Sequence, residues 1–262
     1  MKSGRFIWKP LKCTNNQKII HFYDTVSRFG TVSFHICAIE YLYCAMELNY
    51  FRHLYTKRPG TMSLQKIVNI SRSAPDIVSY TKEAREWYAK GKTGKGDIIK
   101  FTQLPAFAPG AILEGGKSKN DVVDLTGICF IDIDHISEEQ TNLTIQTLKD
   151  NPYTMFVGKS VSGKGIHLLV RYTVDYGTGN MPFLSNPTRL RALYKKVFLS
   201  LAALYSDRLG MPVDWSGVNA ERLCIISYDP HLYYNPDCQK YIFDFVSRSL
   251  KTIDDKVKIN EK

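Results

Sequence analysis

The stretch TGICFIDID, residues 126–134, constrains this chain most, because an apolar, β-branched run ends in two acids spaced two apart. Such a run reads as a buried strand. Ser137-Glu138-Glu139-Gln140 then supplies a capping-box start for a helix to about Lys149, stopped by Asp150-Asn151-Pro152. YTMFVG (153–158) and GIHLLVRYTV (165–174) read as second and third strands. Over residues 188–209, Leu190, Leu193, Tyr194, Val197, Phe198, Leu201, Leu204 and Tyr205 share one helical face, with Gly210 as the stop. RLCIISYD (222–229) reads as a fourth strand. The order β-α-β-β-α-β predicts an α+β fold of the ferredoxin or RRM-like type, with strand order 4-1-3-2. Strand 126–134 would then lie between strands 165–174 and 222–229, both antiparallel to it.

That topology brings distant residues together. The end of the first strand falls beside the starts of the third and fourth, which gathers Asp132, Asp134, His167 and the residues leading into Arg222. Asp132 and Asp134 leave one face of their strand. Two carboxylates so placed repel, and a divalent cation such as Mg²⁺ or Mn²⁺ is the usual remedy. Taken alone, the pair also suits two solvated residues at a strand end. Asp214 and Asp229 compete as a third acid. Asp214 precedes the fourth strand, near the end of the first, whereas Asp229 closes that strand and is expected at the far end of the sheet, as a turn residue before Pro230.

GKSVSGKGIHLLV (158–170) approaches the P-loop pattern G-x-x-x-x-G-K-[ST], but Gly165 replaces the hydroxyl residue and a strand follows where a helix is required. It reads instead as a hairpin tip. Gly163 and Gly165 allow close approach to an anion, Lys164 supplies a cation, and Ser160 and Ser162 supply hydroxyls. His167 serves either as a phosphate contact or as a packed sheet residue. Arg222 serves either a triphosphate or an ordinary ion pair.

The segments FIDID, SVSGKGIH and VDWSGVNAERLCIISYDP together resemble the three motifs of the archaeo-eukaryotic primase (primase-polymerase) superfamily. LPAFAPGA and ERLCIISYDP, with YYNP after them, are closest to its VirE N-terminal-like domains of bacterial mobile-element and phage-related proteins. The resemblance covers roughly residues 62–245. It implies a template-dependent nucleotidyl transferase using DNA or RNA template and primer with nucleoside triphosphates. Asp132, Asp134 and Asp214 would hold two Mg²⁺ or Mn²⁺ ions. His167, Lys164 and Ser162 would hold the β- and γ-phosphates, and Arg222 a further phosphate or the template. Gly165 departs from the superfamily, which commonly has serine two residues before the histidine. A separate helicase or mobilisation protein is an expected partner. Two other readings remain, a non-catalytic nucleic-acid-binding module on the same fold and a metal-dependent nuclease.

Composition fits a polyanionic partner. The 262 residues carry a net charge of +10, with nine Lys/Arg against three Asp/Glu in residues 1–60. The six cysteines form no C-x-x-C pair, so no zinc is expected. The first residues lack the apolar core of a signal peptide, and no window reaches the roughly 18 apolar residues of a membrane span. A cytoplasmic protein without membrane contact is expected. The division predicted is an extension at 1–61, containing an amphipathic helix over 33–48 and a linker at 58–61, a catalytic domain at 62–245, and a charged tail at 246–262. Within the domain, helices are expected at 63–72 and 81–90, followed by extended chain over 98–113.

Overall fold

The computed structural model describes residues 46–134, 136–177 and 186–245, with the backbone of residues 24–26 and 32–34. Two units result. The first, Met1–Ala45, has one described antiparallel pair, β1 (Asp24–Val26) with β2 (Val32–Phe34). The second begins at Met46. It starts with β3 (Glu47–Phe51), β4 (Gly60–Ser63), α1 (Leu64–Ser73), α2 (Pro75–Ala89), α3 (Thr93–Thr102), β5 (Ala106–Ala108), β6 (Ala111–Leu113) and β7 (Val122–Leu125). It continues with β8 (Ile128–Ile133), α4 (Glu138–Lys149), β9 (Thr154–Lys159), β10 (Ile166–Asp175) and α5 (Pro187–Leu209). A 3₁₀ turn (Trp215–Val218), β11 (Cys224–Ile225), β12 (Tyr233–Tyr234) and β13 (Tyr241–Asp244) complete it. The class is α+β, as expected.

Local chemistry accounts for most boundaries. The capping box at Ser137 and Gln140 is formed in both directions. Pro187 follows the Asn186 cap of α5, and Gly210 ends that helix in the left-handed conformation at φ +64°. Every residue of β8 is buried. Central β10 pairs antiparallel with β8 on one side and β9 on the other, so the spatial order β8-β10-β9 is the 1-3-2 part of the order expected.

The sheet separates two cores. Cys129, Ile131, Ile133, Leu168 and Val170 pack with Tyr194, Phe198 and Tyr205 of α5 on one face. On the other, Ile128, Phe130 and Leu169 pack with α1, α2 and a second sheet ordered β11-β5-β3-β4. Burial of each large aliphatic or aromatic side chain contributes about 1.5–3 kcal/mol, so these two layers carry the fold.

Several expectations are corrected. The fourth strand is short, and Cys224–Ile225 pairs with β5 in the second sheet rather than with β8. The free edge of β8 meets the Asp214 segment instead, through a single bridge between Asp132 and Asp214. An apolar run signals burial but does not specify which sheet it joins. The domain boundary lies earlier than residue 62, because Leu48 and Phe51 of β3 are fully buried and β3 pairs with both β4 and β5. Gly60 and Thr61, expected as the end of a linker, open β4. Residues 93–102, partly expected as extended, form α3, and the second helix begins at Pro75. The helix expected over 33–48 falls largely outside the described residues, and its described ends are in strands. The tail at 246–262 also lies outside them.

Gly217 in the 3₁₀ turn holds the Asp214 segment against the sheet. A Cβ there would lie 2.5 Å from the Phe130 carbonyl oxygen and 2.7 Å from the Phe198 ring. Gly217→Ala is therefore expected to destabilise the protein by about 1–3 kcal/mol, read as a lower urea midpoint with unchanged slope.

Candidate metal centre

Antiparallel register builds the site. His167 of β10 is directly opposite Asp132 of β8, and its Nε2 lies 3.9 Å from Asp132 Oδ1. On the other side of β8, the Asp214 N–H donates to the Asp132 carbonyl at 2.8 Å. Ligand oxygens of Asp132, Asp134 and Asp214 all lie within 4.8 Å of one another. The three acids expected from the sequence therefore converge, with Asp132 buried, Asp214 half-buried and Asp134 exposed. The turn that fixes Asp214 is local, since its carboxylate accepts from the Ser216 N–H at 3.0 Å and from the Ser216 hydroxyl.

The donor set suits a hard divalent cation. Three carboxylates offer oxygen ligands within 4.8 Å of one another, and Asp132 Oδ1 is buried with no hydrogen-bond partner. Burial, then the charge of Asp214, pushes the Asp132 carboxyl up to about 6, while Arg222 and Lys100 pull in the other direction. Burial pushes His167 down to about 4, assisted by Lys100 and Arg222 and opposed by Asp134. His167 is thus a neutral imidazole at pH 7. Its Nδ1 lies 3.4 Å from Cys224 Sγ, and Phe130 meets its ring edge-to-face at 5.6 Å.

The hairpin tip approaches this cluster through Gly165. A Cβ on Gly165 would lie 2.6 Å from Asp134 Oδ1, 3.0 Å from the Ile133 carbonyl and 3.1 Å from Ser160 Oγ. Glycine at this position is thereby explained, because a side chain would crowd Asp134 and the Ile133 carbonyl beside it. Ser160 and Ser162 hydroxyls bond each other at 3.2 Å, and Ser162 also accepts from the Lys164 N–H. Lys164 is exposed at the tip, and Arg222 is exposed within electrostatic reach of Asp132 and His167.

Asp229 is not at the far end of the sheet. It is buried against the end of β9, accepting from the Lys159 N–H at 2.9 Å and the His231 N–H at 3.0 Å. It shares an end of the sheet with the acids but braces β9, on the far side of β10 from β8, which is why it is not a fourth member.

Two contributors had no clear sequence signal. Lys100 acts on Asp132 and His167 from α3, a segment whose pattern reads partly as extended. Arg85 of α2 donates to the carbonyls of Val161, Ser160 and Tyr228, each at 3.1 Å, and so fastens the hairpin tip. Asp214 also caps the 3₁₀ turn Trp215–Val218 through its side chain.

The two shifted groups predict opposite pH slopes in one window. Folded Asp132 keeps a proton that the unfolded chain loses, so its contribution falls as pH rises from about 4 to about 6. Folded His167 lacks a proton that the unfolded chain holds, so its contribution rises between about 4 and 6.5. Relative to wild type in chelator, stability of Asp132→Asn should climb more steeply with pH, and that of His167→Gln should decline. Each difference is at most about 1.4 kcal/mol per pH unit, measurable by urea denaturation. Gly165→Ala should displace Asp134 and weaken Mn²⁺ binding by calorimetry roughly tenfold or more, as loss of ligand positioning does elsewhere.

Among the described residues no helix is long and apolar enough to cross a membrane. No curated protein and no solved structure matches the chain. The family model for the BT4734-like N-terminal domain matches residues 100–234, just over half of the sequence, and that segment contains all three acids, His167 and the hairpin tip. The chain belongs to the BT4734-like N-terminal domain family.

Proposed function

We propose that this protein is a template-dependent nucleotidyl transferase of the primase-polymerase kind, acting in the replication of a mobile element or phage-type system. The observation that carries the reading is the convergence of three carboxylates, one with a buried unsatisfied oxygen, at the mouth of a glycine-rich hairpin. Divalent ions held by Asp132, Asp134 and Asp214 would supply Lewis-acid charge for in-line phosphoryl transfer.

The chain's own residues have separable parts. Asp132 and Asp214 are tied together through the backbone, so they present carboxylates at a fixed spacing. His167, neutral and wedged between Cys224 and Phe130, offers a hydrogen bond to a phosphate oxygen without adding charge. Lys100 and Arg222 place positive charge beside the acids, where a triphosphate would lie. Lys164 and Ser162 sit at the hairpin tip, suited to the outer phosphates. In the reaction, a primer 3′-hydroxyl oxygen bonds the α-phosphorus, the bond to the β-phosphate bridging oxygen breaks, and pyrophosphate leaves. The hydroxyl proton passes to solvent or to a carboxylate of the cluster.

Incubation with a labelled primer-template, dNTPs or NTPs, and Mg²⁺ or Mn²⁺ tests this. Primer growth is expected, reduced on the order of 10³-fold in Asp132→Asn and Asp214→Asn. Primer shortening would establish the nuclease instead, and nucleic-acid binding unaffected by chelator, without turnover, would establish the binding module.

A further inference from the structure

We infer that the surface along α3 is a track for single-stranded nucleic acid, leading toward the acidic cluster; as an assignment of template or primer path it rests on the proposed transferase reading. At the turn before α3 and in its first turn, the ammonium groups of Lys90, Lys92 and Lys95 lie 5.1, 5.7 and 4.4 Å from the centroid of the Trp87 indole. All three lysines are exposed, and Trp87 is half-buried. Among the described residues only Lys90 of the three has an ion pair, a 4.0 Å contact with Glu86. Three cations gathered on one ring repel each other, and the ring's quadrupole offsets only part of that. A chain of phosphates relieves the repulsion.

The same surface continues along the helix. Ile98, one turn beyond Lys95, is 64% exposed, an apolar contact beside a cation. At the far end of α3 the loop between β3 and β4 is fastened by the Leu54 N–H donating to the Phe101 carbonyl at 3.1 Å. That loop presents exposed Arg52, Lys57 and Arg58 around Tyr55, itself 64% exposed. The ten residues of α3 thus join two basic, apolar-studded ends about 15 Å apart. Lys100, in the last turn of α3, lies within electrostatic reach of Asp132 and His167, so the helix that carries the track borders the site.

Alternating cations and exposed apolar groups match the two surfaces of a single strand, its phosphates and its unstacked bases. A duplex hides its bases and would leave Ile98 and Tyr55 without a role.

The test uses the full chain and a fluorescent oligothymidine, with anisotropy read across a salt series in chelator. Lys92→Gln/Lys95→Gln should weaken binding roughly tenfold at low salt and lower the slope of log affinity against log salt by about 1.4. Tyr55→Ala should weaken it roughly tenfold with the slope unchanged. Binding should also change the tryptophan emission, and Trp87→Phe should remove that change. Unaltered affinity in these variants overturns the track, as does equal binding of duplex DNA or heparin with the same losses. The two ideas fail separately. Primer extension by wild type together with unaltered oligonucleotide binding in the variants leaves the transferase and removes the track. Oligonucleotide binding lost in the variants, without extension by wild type, supports the track and removes the transferase.

Discussion

The pairing of β8 with β10 is the constraint on which the rest depends. Its register sets His167 opposite Asp132, and the period-two alternation of strands decides what each face receives. Ile131 and Leu168 go to one core, Phe130 and Leu169 to the other, and the acids emerge only where β8 runs out. A slip of one residue would turn Asp132 and His167 into the α5 layer and drive Ile131 and Leu168 into the opposite core in exchange. Hydrophobic burial on both faces therefore specifies the geometry of a polar site.

That site works against the stability of its surroundings. A carboxylate forced toward protonation and an imidazole forced toward neutrality are both groups placed where water would suit them better. Close packing supports them. Gly165 and Gly217 bring backbone within reach of Asp134 and of β8, where any side chain would intrude. Departures from local preference concentrated in this way are what functional sites look like in an otherwise consistent fold.

Much of this was legible in the residues. The capping box at Ser137, the glycine that stops α5, and the three strands around FIDID and GIHLLV each follow from local chemistry. The convergence of Asp132, Asp134, Asp214 and His167 was legible too, although the topology used to reach it was only partly correct. Asp214 arrives through a lone bridge on β8, not as the lead-in to a paired fourth strand. Sheet membership was illegible because the run pairs with β5 only at Cys224–Ile225 and then turns to a loop and a side chain, with Ile226 N–H bonding the Pro105 carbonyl and Tyr228 N–H bonding Thr81. Helix α3 was hidden by two glycines, and the contribution of Lys100 was hidden with it.

The Arg85 clamp has a consequence for where this domain ends. Its guanidinium reaches from α2 to three carbonyls of the hairpin and the 228 segment, yet α2 precedes the first residue of the segment that defines the family. The same is true of β3, which supplies the neighbour of β5 in the second sheet. A chain cut to the family segment would lose the fastening of its hairpin tip and uncover Phe107 and Phe130 at the same stroke. The unit that must be expressed, inherited and transplanted whole is therefore larger than the unit by which its relatives are recognised.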